Sequence, residues 1–462
     1  MRYSSDFMLN AGIVSLILVL TTLTTIIAYS TNSSEPLSAY DVFSSWQGTV
    51  VALSHKVVYI NNDKAVIINF DDANLRIFSA VVGNGGSILI IAGSYNSHPL
   101  LGMINLSSKE AKLNAYVGYS INGSFFKVRL TGNYLYCAGY VIREQLYNGI
   151  ILAVDTRKLI HSELVLQSNA LIVPCENSCY IRDITIFSNN EIIALGAYYN
   201  LEFYPKYQLM LILLDNQLRL QNSFIIEAEN SLIPKGLYVV ENSTILCTSA
   251  TENAVCFFKL NIEEIGSTGK VRINLLKLKN SLLSVTGIGS NKQIYVLIRT
   301  RGPQYVLRIH SASSSVELTE LATFDPVAIM LIDDEPILMT SDYKLTSIQG
   351  ITRIVPPTDV GYSELHLTQI MARMSNVKFN LTKLKVKVTE LVGIKESEHV
   401  QNRKVSQFTE VSTTHLSERN TLTKEEFRRD IVGGIESSYI ILGLSIILIS
   451  LYLILRSKAV KI

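Results

Sequence analysis

Between residues 46 and 356 the apolar positions come in short runs bounded by polar turns, and the runs recur in pairs. The first member of a pair appears as KVVYI (56–60), SILIIAGSY (87–95), NYLYCAGYV (133–141), EIIALGAYY (191–199), STILCTSA (243–250), QIYVLIRT (293–300) and PILMTSDY (336–343). The second appears as VIINFDD (66–72), LGMINLSS (101–108), ILAVDTR (151–157), LILLDNQ (211–217), CFFKLN (256–261), YVLRIHS (305–311) and YKLTSIQ (343–349). Runs this short, rich in Val, Ile, Leu and Tyr and closed by Asp, Asn or Ser, predict strands rather than helices. A further strand precedes many pairs, as in FFKVRL (125–130), DITIF (183–187), GLYVV (236–240), SVTGI (284–288) and AIMLI (328–332). A fourth follows some of them, as in LRIFSAVV (75–82) and VELTELATF (316–324).

The pairs repeat about every 44 residues, which is the spacing of a four-stranded propeller blade. The pattern therefore predicts an all-β chain whose residues 40–357 form a β-propeller of about seven four-stranded blades. Blade strands are covered on both sides, so they read as near-continuous apolar runs with little alternation. A large β-sandwich array or a β-solenoid is the alternative for such a repeat. NYLYCAGYV followed by IILAVDTRKL resembles the strand pairs of quinoprotein-type and related β-propellers. Quinoprotein-type blades carry recurring tryptophans, whereas Trp46 stands alone in this chain, and neither WD dipeptides nor a kelch double-glycine repeat is present. The resemblance implies a fold and brings no cofactor and no site residues with it.

Two longer apolar blocks flank this region. Residues 11–28 have Arg2 ahead of them and a cleavage-site tripeptide, Ala28-Tyr29-Ser30, at their back, the arrangement of a signal peptide, with an uncleaved N-terminal anchor as the other reading of 1–30. Residues 439–455 approach the length of a spanning helix, and a transmembrane helix is expected over 436–455. Arg456, Lys458 and Lys461 follow it, so 456–462 is expected to be a cytoplasmic tail and the bulk of the chain extracytoplasmic. Pro356-Pro357 marks a boundary, after which VKFNL (377–381) and LKVKV (384–388) alternate apolar residues with Lys378, Lys385 and Lys387. A membrane-proximal β segment is expected over 358–394 and a polar stalk over 395–435, where Thr423 and Glu426 have capping-box spacing.

Charged residues make up 17 % of the chain and the formal net charge is +2, so no strong field invites nucleic acid. An extracytoplasmic setting permits disulfides. A hairpin turning at Thr251-Glu252 would place Cys247 opposite Cys256, and Cys175 and Cys179 enclose a short loop. Both pairs are candidate bridges, while Cys137 reads as a small buried hydrophobe. Sequons begin at Asn32, Asn105, Asn122, Asn242 and Asn380, sites for glycosylation in an exported chain.

The seven histidines are scattered, and neither a nucleophile elbow nor a phosphate-binding glycine loop is present. No catalytic, cofactor-binding or metal-ligating residue is assigned. Asp333-Asp334-Glu335 has oxygen ligands of the kind Ca²⁺ takes, but its favoured reading is an acidic hairpin turn. Loops at 142–148, 166–182 and 198–207 are the candidate site-formers. The last carries Tyr198, Tyr199, Phe203, Tyr204 and Tyr207, aromatic residues suited to protein or glycan contact. The sequence thus points to a membrane-anchored binding module for a surface protein or glycan. Its alternatives are a membrane-tethered hydrolase or lyase with a site at the channel mouth, and an extracytoplasmic subunit of a membrane complex.

Overall fold

In the computed structural model the described residues are 38–393, less short breaks of which 107–112 and 262–269 are the longest. Both apolar blocks, the stalk, the tail, Asn32 and Asn242 lie outside the described residues. Among those described, no helix is long and apolar enough to cross a membrane.

Twenty-seven strands follow one another as antiparallel blades around a ring. Blade 1 is β1 (Asp41–Ser45), β2 (Gly48–Leu53), β3 (Lys56–Ile60) and β4 (Ala65–Asn69). Blade 2 is β5 (Leu75–Gly83), β6 (Ile88–Tyr95), β7 (His98–Asn105) and β8 (Leu113–Val117). Blade 3 is β9 (Gly123–Thr131), β10 (Tyr134–Arg143), β11 (Leu146–Asp155) and β12 (Val165–Val173), with the short helix α1 (Thr156–Ile160) before its last strand. Blade 4 is β13 (Cys179–Ile186), β14 (Ile192–Asn200), β15 (Lys206–Leu214) and β16 (Leu220–Glu227). Blade 5 is β17 (Ile233–Glu241), β18 (Thr244–Ala250), β19 (Ala254–Asn261) and β20 (Lys270–Lys277). Blade 6 is β21 (Leu282–Gly289), β22 (Gln293–Thr300), β23 (Gln304–His310) and β24 (Val316–Leu321). Blade 7 has three described strands, β25 (Pro326–Ile332), β26 (Glu335–Thr340) and β27 (Leu345–Ser347). The innermost strands β1, β5, β9, β13, β17, β21 and β25 each touch the next, and β25 touches β1, so the ring closes. The protein is a seven-bladed β-propeller.

The apolar runs are continuous because each blade is covered on both faces. In β6 every residue from Leu89 to Ser94 is buried. One side of that strand packs Leu89 and Ile91 into an apolar cluster shared with blade 1. Its other side packs Ile90 and Ala92 into a cluster shared with blade 3. Further clusters fill the spaces between blades 3 and 4, 4 and 5, and 5 and 6. Burial of this apolar surface on both faces is what drives the repeat into a ring.

Three details differ from the sequence expectation. In blade 1 the repeat is one strand out of phase: KVVYI is the third strand β3, and GTVVAL supplies β2. LRIFSAVV is the inner strand of blade 2 and not the outer strand of blade 1. The 166–182 loop contains most of β12, because its apolar residues pair with β11.

Beyond blade 7 the chain turns back and runs around the outside of the ring. β28 (Thr352–Val355) adds to β24 of blade 6. β29 (Val360–Gln369) pairs first with β20 of blade 5 and then with β16 of blade 4, the handover falling at His366. β30 (Ser375–Val386) pairs with β12 of blade 3 and then β8 of blade 2, the handover falling at Thr382. β31 (Glu390–Gly393) ends against β4 of blade 1. Strand structure is observed over 377–386 as expected, and β29, β30 and β31 are laid along the outer strands of the blades as a belt; 387–388 lie outside the described residues.

Candidate functional site: an aromatic layer over a buried charged hub

Each inner strand from blade 2 to blade 7 carries a β-bulge near its start. Residues Phe78, Phe126, Arg182, Lys235, Leu283 and Val327 are the extra ones, skipped by the pairing register. In blade 1 the Tyr40 amide and Asp41 both face Ala52, which is the same geometry at the strand's first residue. A bulge re-aims the side chain it displaces. Opposite the bulges of blades 2, 3 and 4 stand Gly93, Gly139 and Gly196. A Cβ there would come within 1.9 Å of Arg76 O, 1.9 Å of Ser124 O and 2.3 Å of Tyr180 O respectively. Glycine is needed because the bulged backbone occupies the place of a side chain.

Two layers result at the end of the ring where the inner strands begin. The outer layer is aromatic. Tyr40 meets Phe78 edge-on at 5.1 Å, Phe78 meets Phe126 at 5.5 Å, and Phe126 meets Tyr180 at 5.8 Å, so one chain of rings links blades 1 to 4. The Arg182 guanidinium lies 5.3 Å from the Phe126 ring centre. Tyr140 and Tyr147 extend the layer outward along blade 3, 5.0 Å apart, where the hairpin turn needs positive φ at Glu144 (51°) and Gln145 (68°). Tyr199 and Tyr207 are cross-strand partners in blade 4, with ring centres 5.2 Å apart. Burial first, then the neighbouring Tyr199 and Tyr147, push the Tyr207 hydroxyl up to about 12, as adjacent phenols from two blades would. Phe78, Phe126 and Tyr180 are buried, Tyr40, Tyr140, Tyr147, Tyr199 and Tyr207 are half-buried, and Tyr119, which meets His98 edge-on, is exposed.

The inner layer is ionic. Lys127 Nζ donates to Asp41 Oδ1 at 2.5 Å and lies 3.4 Å from Asp183 Oδ1. Arg129 reaches the same two carboxylates at 3.6 and 3.9 Å. The Ser79 hydroxyl donates to Asp41 Oδ2 and accepts from the Val128 amide. Asp183 accepts from its neighbour Ile184 N at 2.8 Å and from Leu237 N of blade 5 at 2.9 Å. Five blades therefore meet in one network of two anions and two cations. Asp41, Ser79, Lys127 and Asp183 each follow the bulge position of their own blade, which is why the layers stack. Burial would raise the Asp41 carboxyl, but the charges of Lys127 and Arg129 and the hydrogen bonds from Lys127 and Ser79 outweigh it and hold the group below 3.8. Beside the hub, burial and then the nearby Asp183 push the Tyr238 hydroxyl far up. Asp41 and Asp183 are the buried carboxylates among the described residues, and both are bound to the same ammonium. The arrangement locks blades together and is poorly suited to proton transfer.

Of the expected contact residues, Tyr198, Tyr199 and Tyr207 lie in β14 and β15, with Tyr198 packed toward the blade 3–4 core. Phe203 and Tyr204 lie outside the described residues. Tyr147 and Tyr180 fall within the expected site-forming stretches 142–148 and 166–182, whereas Tyr40, Phe78, Phe126 and Tyr140 lie outside all of them, although the dipeptides Tyr40-Asp41, Phe78-Ser79 and Phe126-Lys127 repeat in phase. Cys175 and Cys179 form a disulfide between blades 3 and 4. Cys247 and Cys256 do not: the register pairs Cys247 with Phe258 and Cys256 with Ser249, and both thiols are free in the blade 4–5 core. The register pairs Ala250 with Val255, which offsets the two cysteines by two positions. Cys137 is buried and free, and burial raises its thiol. Asp334 occupies the β25–β26 hairpin turn with φ 63°, and no metal-binding group is found among the described residues. Asn105 ends β7, Asn122 precedes β9, and Asn380 lies within β30 against Gln167.

No family model and no curated protein matches the chain. A protein of unknown function from Desulfotomaculum acetoxidans is 11 % identical, covering 68 % of this chain and 99 % of its own, with a TM-score of 0.37. Drosophila Semaphorin 2a is 10 % identical over 68 % of this chain and 73 % of its own, with a TM-score of 0.43. The tricorn protease is 11 % identical over 71 % of this chain and 35 % of its own, with a TM-score of 0.37. Likeness at this level carries no functional argument.

Proposed function

We propose that the protein is an extracytoplasmic β-propeller, anchored by its C-terminal apolar block, that binds a surface partner through the tyrosine-rich end of blades 1 to 4. The observation that carries the reading is the continuous run of rings from Tyr40 to Tyr207 on one end of a rigid ring. Tyrosine gives contact area at small entropic cost and a hydroxyl for directional bonds, which suits a binding surface. The Cys175–Cys179 disulfide supports an oxidising compartment. The apolar blocks at 11–28 and 439–455, with basic residues after the second, support a surface protein with its bulk outside.

The test is capture of the tagged full-length protein, crosslinked in its native membrane, beside a Tyr119→Ser, Tyr147→Ser, Tyr199→Ser triple variant. A stoichiometric surface partner held by the natural chain and lost by the variant is the expected result. Recovery of the protein alone would defeat the reading. Equal capture by both chains would move the site off this face.

A further inference from the structure

The ring and the belt are joined by a short connection, residues 348–351, yet every pairing the belt makes is with the outer strand of a blade. We propose that the outer edges of blades 6 to 1 form a strand-acceptor site whose occupant is this chain's own segment 352–393, and that occupancy holds the ring shut.

The argument starts from the seam. Blade 1 is built from β1 to β4 and blade 7 from β25 to β27, so no ladder joins the first blade to the last among the described residues. The two meet through scattered bonds: Ala39 N donates to Val327 O at 2.9 Å, Thr49 Oγ1 and Ser44 Oγ to Leu331 O at 2.7 and 3.1 Å, Leu331 N to Ser44 Oγ at 3.4 Å, and Lys56 Nζ to the Tyr343 hydroxyl at 3.1 Å. Isolated bonds of this kind contribute about 0.5–1.5 kcal/mol each, somewhat more where the donor is charged as at Lys56. The belt supplies what the seam lacks. β29 pairs with two blades and fuses 4 and 5 into one nine-stranded sheet, and β30 does the same for 2 and 3. β28 and β31 add a fifth strand to blades 6 and 1, the neighbours of blade 7 on either side. A strand shared by two blades fixes the angle between them. Two angles, 2–3 and 4–5, are fixed in this way, and β28 and β31 tie blades 6 and 1 to the same segment, which limits how far the gap filled by blade 7 can open and so keeps the seam closed. Strand addition of this kind draws its affinity from main-chain hydrogen bonds and needs no particular side chains. It also covers outer edges that would otherwise invite pairing with other chains. Because Tyr40 sits at the seam and Phe78 does not, the belt preserves the first contact of the aromatic layer as well.

The experiment uses the full chain with a protease site inserted between Gln349 and Gly350 and a second after residue 394, both cut after folding. The belt fragment is then displaced with moderate urea, and amide exchange is read at the seam and away from it. We expect the cut fragment to stay bound in native buffer. Its displacement should speed exchange at Ala39 and Leu331 about 100-fold, while Leu135 and Leu195 at the centres of blades 3 and 4 change less than about threefold. A fragment that leaves in native buffer without altering seam exchange overturns the proposal. So does displacement with no change at the seam, and so does a fragment that can be removed only by unfolding the ring.

Discussion

The Lys127 ammonium sits between the carboxylates of Asp41 and Asp183, 2.5 Å from the first and 3.4 Å from the second, and so ties the inner strands of blades 1, 3 and 4. Removing the cation leaves two buried anions facing each other with only Arg129 between them. Lys127→Met is expected to cost about 3–5 kcal/mol of stability, the penalty for breaking a buried pair from one side. Adding Asp41→Asn should restore part of the loss. Denaturant melts of both variants measure this, and equal stability of Lys127→Met and the natural chain would refute a structural hub.

The same network sets the acid limit. Asp41 is held below 3.8 in the folded protein, so its contribution is complete above that value and is lost as pH falls through the depressed native one. Stability should change little through this group from neutrality to about pH 4 and decline below. An Asp41→Asn variant should have a lower plateau and a shallower acid decline. Parallel acid curves would count against the assignment.

Gly139 and Gly132 offer a controlled comparison within one blade. A Cβ at Gly139 would stand 1.9 Å from Ser124 O, whereas Gly132, with φ +53°, has nothing within 4 Å. Gly132→Ala should cost about 1 kcal/mol for its left-handed backbone. Gly139→Ala should cost several times more, since the bulge at Phe126 must move. Thermal melts of the two variants would show the opposite order if the bulge were easily displaced.

The cysteines can be counted chemically. Alkylation of the denatured, unreduced protein should label three thiols, Cys137, Cys247 and Cys256, and reduction should raise the count to five. Peptide mapping should find Cys175 and Cys179 linked. Because that bridge closes a small loop, replacing both with Ser should cost only about 2 kcal/mol. A Cys247–Cys256 linkage in the map would contradict the observed register.

Blade number and strand content were legible because a strand buried on both faces writes an unbroken apolar run, and NYLYCAGYV or EIIALGAYY needs no neighbour to be read. The phase slip in blade 1 arose because GTVVAL and KVVYI are adjacent apolar runs of nearly equal length, six and five residues, so local pattern does not say which is the second strand. The Cys247–Cys256 expectation failed by two residues, since the composition of TSATENAV does not say where its hairpin turns. The hub was illegible for a different reason. Asp41, Ser79, Lys127, Arg129 and Asp183 are scattered over more than a hundred residues of sequence, and each alone looks like an ordinary polar residue in a strand.

Sequence by itself determined the repeat: local hydrophobic periodicity is a property of each strand, and it specifies a four-stranded unit with faces that must be covered. Only the tertiary structure decided what the ring brings together. Closing the circle aligns the bulges, stacks the rings of Tyr40, Phe78, Phe126 and Tyr180 above the ion pairs, and lays β28 to β31 along the outer strands of the blades as a belt. Those outcomes depend on which edges and axial positions coincide in space. Non-local geometry of that kind leaves no periodic mark on the chain that encodes it.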